Sequence, residues 1–184
     1  DAFAVLHPWL LSPGIGREER ERIVGLTGAG VAYKLAQALL GARPEDPRLT
    51  RYLDLVTLGT VADMGRITGE NRVLVKRGLE MLSSDPSALR PGIAALRQVA
   101  GLADRRVTVG TVGFSLAPRI NASGRLEKAD TAFRLLTTGD PEEARTLAAA
   151  LDTVNRERQA VEERIWNEAR TACPKAELAN TGAL

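Results

Sequence analysis

A chain of 184 residues with 44% hydrophobic and 26% charged residues has the make-up of an ordinary globular domain, long enough to bury most of its apolar surface, which excludes a disordered or fibrous protein. Aromatics at 4% are too few for recognition of bases through stacking platforms, and a formal charge of +2 is too small to point to nucleic acid by itself. Cys173 is the only cysteine, so neither an intrachain disulfide nor a cysteine-built zinc site can form, and nowhere are there the roughly 18 uninterrupted apolar residues of a membrane span; the expected setting is soluble and cytoplasmic.

Residues 2–6 form a short apolar run closed by His7 and Pro8, which reads as a buried strand leaving its sheet. The run of charges over 17–22 reads as a solvated face. Thr27, Gly28, Ala29 and Gly30 precede a helix with Val31, Leu35, Ala38 and Leu39 on one side. Residues 52–62 are almost wholly apolar and therefore buried; helix is preferred over interior strand. Amphipathic helices are expected over 71–82 and 91–99. Thr108 caps another, running through Phe114 and Leu116 until Pro118 stops it. A further helix covers 130–138. The last begins at Asp140 and Pro141, with Glu142 and Glu143 placed favourably against the helix dipole, and continues for about thirty residues. Ala144, Leu147, Leu151, Val154, Arg158, Val161 and Ile165 recur on it at steps of three and four, a seam better read as packing on its own domain than as a coiled coil.

Four features could carry chemistry. Asp63 ends the apolar run, where a carboxylate can serve a hard divalent cation or simply finish a helix. Asp54, inside the run, reads as structural. Gly28 and Gly30 lack the third glycine of a dinucleotide loop and the Gly-Lys-Ser/Thr of a phosphate loop, so they read as helix-start and close-packing glycines. The string 118–125 (PRINASGR) gathers Arg119, Asn121, Ser123 and Arg125, forked and flexible donors suited to phosphate oxygens; the competing reading is an arginine pair that caps helix ends or bridges to the acidic last helix.

Along residues 2–170 the chain resembles the RecJ family of the DHH phosphoesterase superfamily. The matching strings are LTGAGVAYKLAQALL (26–40), YLDLVTLGTVADM (52–64), ENRVLVKRGLEML (70–82), RPGIAAL (90–96), VGFSLAPRINASGRL (112–126) and DTVNRERQAVEERI (152–165). The resemblance implies an α/β fold, here the distal helix-rich part of a DHH phosphoesterase domain over 1–138, followed by a long connector helix over 139–172 and a tail over 173–184. It implies part of a metal-dependent 5′→3′ exonuclease of single-stranded DNA in repair and recombination, with two Mn²⁺ or Mg²⁺ ions activating water against a phosphodiester. It makes Asp63 a metal ligand and catalytic residue, and Arg119, Asn121, Ser123 and Arg125 phosphate or nucleic-acid ligands. Its implied partner is single-stranded DNA, with repair proteins besides and no membrane; a monomer is favoured.

The family's upstream aspartates, its Asp-His-His triplet and its glycine-rich DHHA1 domain do not occur in this chain, and His7 stands where asparagine is usual. The chain is therefore expected to be an inactive piece of a larger enzyme. The alternatives are a catalytically incomplete remnant that binds single strands or a partner, and a phosphodiesterase of small oligonucleotides.

Overall fold

The computed structural model describes Gly14, Gly16 and residues 25–125 and 129–172, the side chains of Ser123 and Arg125 excepted. The strand expected over 2–6, His7, the charge run over 17–22, Cys173 and the tail fall outside these residues. Among the described residues every regular element is helical, so the sheet half of the expected α/β architecture is not represented in them.

The helices are α1 (Gly28–Leu39), α2 (Pro47–Thr50), α3 (Leu53–Ala62), α4 (Gly69–Leu82), α5 (Pro91–Val99), α6 (Val109–Thr111), α7 (Ala117–Asn121), α8 (Asp130–Thr137) and α9 (Pro141–Ala172), with short 3₁₀ turns at Pro86–Ala88 and Ala122–Arg125. The apolar run expected at 52–62 is α3. It is apolar on nearly every side because it is covered on nearly every side, with Leu53, Val56, Leu58, Val61, Thr57 and Thr60 all buried.

Small residues let its neighbours approach. A Cβ on Gly59 would stand 2.6 Å from Ala29 of α1, and one on Gly78 of α4 would fall 1.9 Å from Thr57 Oγ1 and 2.2 Å from the Leu53 carbonyl oxygen. Gly30 is buried, and a Cβ there would stand 3.1 Å from Leu26 Cδ2, so the packing role holds for Gly30; Gly28 opens α1 exposed, with open space around it, and has no packing role.

The main core joins α3, α4 and α5 to α8 and α9 through Val75, Leu82, Ile93, Leu96, Leu116, Leu135, Ala144, Ala148 and Leu151. Each of its fully buried leucines contributes about 1.5–3 kcal/mol relative to exposure. A smaller cluster of Tyr33, Leu49, Leu53, Val56 and Leu74 ties α1 and α2 to α3.

Two expectations need correction. Pro118 does not stop its helix: α6 passes through a π turn, Val112–Leu116, directly into α7, where Pro118 occupies the first turn. Proline lacks an N–H and clashes with the preceding turn, and the wider π turn immediately before it absorbs both defects. Thr108 caps the segment as expected, its side chain exchanging bonds with Thr111 in a capping box. The seam on the last helix is also shifted. The buried positions of α9 are Ala144, Ala148, Leu151, Asp152 and Asn155, while Val161 and Ile165 are exposed.

Candidate functional site

Asp63 caps the carboxyl end of α3 at φ −85°, and the chain then turns through Met64 at φ 54°. The Gly65 amide donates to the Thr60 carbonyl (2.9 Å) and the Met64 amide to the Val61 carbonyl (3.1 Å), the two bonds of a Schellman cap. Glycine is the usual residue at the left-handed position. Here methionine occupies it with its side chain 90% exposed.

The turn is pinned from both sides. Thr27 Oγ1 and Thr60 Oγ1 share a hydrogen bond of 3.2 Å, and a Cβ on Gly65 would meet Thr27 Cγ2 at 2.5 Å. Buried Asn71 donates through Nδ2 to the Gly25 carbonyl (2.6 Å) and the Arg66 carbonyl (2.9 Å), fastening the loop after Asp63 to the segment before α1. The Asp63 carboxylate itself is exposed and has no hydrogen bond or ion pair within the described residues. It stands at the negative pole of α3, where a cation is favoured.

One oxygen donor of this kind suits a hard divalent ion. Among the described residues, however, no group of three or more His, Cys, Asp or Glu side chains gathers around a common point. Asp63 can supply one ligand, and the described residues do not complete a centre.

The string 118–125 divides. Arg119 is largely buried and donates from Nε to Asp152 of α9 (2.9 Å) and from Nη1 to the Ser115 carbonyl in the π turn (2.6 Å). Arg156 completes the group, 2.6 Å from the other Asp152 oxygen. Bridging to the last helix, one of the two readings open for the arginines, is thus what Arg119 does. Asn121 is exposed at the end of α7. Ser123 and Arg125 lie in the 3₁₀ turn that follows, their side chains outside the description.

Other buried charges serve the scaffold. Asp54, read as structural, accepts from Arg90 Nε at 2.8 Å. Arg97, which sequence reasoning passed over, is 3% exposed and has no carboxylate partner among the described residues; it donates to the Ser84, Leu102, Ala103 and Arg105 carbonyls and moulds the loop over 101–107. The available signal was its place four residues after Ile93, on the apolar stripe of α5, where an arginine needs a buried partner.

No family model matches the chain. Its curated relatives include the single-stranded-DNA-specific exonucleases RecJ of Bacillus subtilis, 41% identical over 92% of this chain, and of Escherichia coli K12, 37% identical over 83%. These matches span 20% and 28% of the relatives' own lengths. Among solved structures, RecJ from Thermus thermophilus in complex with Mn²⁺ superposes with a TM-score of 0.69 at 36% identity, over 88% of this chain and 23% of that one. An exonuclease RecJ bound to manganese superposes at 0.71 with 35% identity, over 92% and 40%.

Proposed function

Since this chain belongs to the RecJ family over the stretch it shares with it, we propose that it forms part of a metal-dependent exonuclease that digests single-stranded DNA from the 5′ end in repair and recombination. The observation that carries the reading is the Asp63 carboxylate, exposed and unpaired among the described residues on a turn that Thr27, Thr60 and Asn71 hold in place. In this reading Asp63 is one ligand of a Mn²⁺ or Mg²⁺ centre whose other ligands lie outside the described residues. A bound divalent ion supplies stabilisation of charge building on the phosphoryl oxygens and a more acidic water.

The donors of 118–125 divide in the same way. Asn121, Ser123 and Arg125 are the proposed phosphate ligands, and Arg119, committed to Asp152 and Ser115, positions the turn that carries them. Residues up to 138 then represent the distal part of the DHH domain, and α9 the connector that leaves it.

In a longer protein containing this stretch, Asp63→Ala should lower Mn²⁺-dependent digestion by at least about 100-fold, the worth of a few kcal/mol of transition-state stabilisation, while circular dichroism stays unchanged. Digestion near the wild-type rate would overturn the assignment. The 184-residue chain alone should show no metal-dependent cleavage.

A further inference from the structure

A cleft of about 440 Å³ runs between α4 and the segment that enters α6, within the ~300–1,000 Å³ typical of ligand sites. Arg72 and Lys76, one turn apart on α4, stand along one wall, and Arg106 faces them from the other beside Thr108 and Val109. All three cations are exposed, and none forms an ion pair within the described residues. Glu80 is the one acidic side chain lining the cleft; the neighbouring Glu70 is occupied by Lys34 at 2.8 Å. The cleft adjoins the segment that follows the Asp63 turn in the chain. Ile67 lines it four residues beyond Asp63, and Arg72 follows Asn71, the residue that fastens the Asp63 turn through the Arg66 carbonyl.

We propose that this cleft is a track for the sugar-phosphate backbone of single-stranded DNA, with Arg72, Lys76 and Arg106 contacting successive phosphates on the way to the Asp63 turn. The inference rests on the exonuclease reading and adds to it a binding surface separate from residues 118–125. Three convergent cations over a partly apolar floor complement a polyanion, and like charges gathered with a single acid among them repel one another until one arrives. No aromatic ring lines the cleft, so the contact is to the backbone and is indifferent to sequence.

The test is fluorescence anisotropy of this chain with a labelled oligothymidylate of about twelve nucleotides, in EDTA, between roughly 50 and 300 mM salt. The triple variant Arg72→Gln/Lys76→Gln/Arg106→Gln should bind at least about tenfold more weakly at the low-salt end. Its plot of log affinity against log salt should be shallower by about two, at ~0.7 for each phosphate no longer neutralised. The double variant Lys76→Gln/Arg106→Gln, which leaves the Asn71 corner untouched, should show an intermediate loss, and Arg43→Gln, an exposed cation elsewhere, none.

Unchanged affinity and slope in the triple variant would overturn the proposal, as would no binding by the wild-type chain. Groove-dependent binding of polyglutamate with none of the oligonucleotide would overturn it in favour of an acidic protein partner. In the longer protein the groove variants should raise KM with kcat nearly unchanged, whereas Asp63→Ala removes turnover. Full activity of Asp63→Ala together with a raised KM in the groove variants would sink the metal-ligand reading and leave the groove standing.

Discussion

Met64 stands in the left-handed region at φ 54°, a conformation that costs a residue with a Cβ roughly 1–2 kcal/mol, and its side chain, 90% exposed, recovers little through packing. Met64→Gly should therefore raise stability to denaturant by about 1 kcal/mol, less the extra entropy glycine has in the unfolded chain. The gain would identify local backbone strain beside Asp63. Asp152 poses the opposite case: it is 5% exposed and neutralises the mostly buried Arg119. Asp152→Ala leaves that guanidinium buried and unpaired and should cost roughly 3 kcal/mol in urea unfolding. At this scale Asp63 was legible as a carboxylate at the end of an apolar run. The partner of Arg119 was not, because it lies 33 residues along the chain and only the packing of α9 brings it near.

Between elements, contacts are set by close backbone approach and by a few side chains that bridge. A Cβ on Gly92 would fall 1.7 Å from the Leu135 carbonyl oxygen, so Gly92→Ala must force α5 and α8 apart and should lower stability by roughly 2–3 kcal/mol in thermal unfolding. Glu143 joins α8 to α9 by accepting from Thr138 Oγ1 (2.5 Å) and from Arg134. The Thr138 hydroxyl first and the Arg134 guanidinium second hold its carboxyl below the ordinary value of 4.5. Such a group stabilises the fold above its unfolded pKa and loses that contribution as pH falls through the lowered folded value. The Tm deficit of Glu143→Gln should accordingly be largest near neutral pH and shrink as pH falls through the lowered folded value, where the wild-type carboxyl becomes protonated too; a deficit independent of pH would show that charge plays no part. Helix existence was legible from periodicity for α4, α5 and α8, whereas the almost wholly apolar run of α3 announced burial and left helix only the preferred reading over strand. The passage through Pro118 was not, because a π turn has no signature in hydrophobic spacing.

Over the described residues as a whole, burial is unevenly distributed along α9. Its first half is sealed by Ala144, Ala148 and Leu151, each fully buried, while every residue from 159 to 172 is exposed. Leu151→Ala should cost about 2–5 kcal/mol, whereas Val161→Ser, Ile165→Ser or Trp166→Ser should each change stability by no more than about 0.5 kcal/mol, as differential scanning calorimetry can measure. The sequence by itself determined most of the helical segments, the burial of α3 and the packing role of Gly30, because these follow from local pattern and residue chemistry, whereas Asp63 was singled out by the family resemblance and not by its local pattern. Only the tertiary structure decided which face of α9 is covered, that Arg119 is tied to Asp152, that Arg97 is buried among carbonyls, and that Arg72, Lys76 and Arg106 share one cleft. Those outcomes depend on how helices far apart in the chain cross, and a one-dimensional pattern records which face of each helix is apolar but not which helix will cover it.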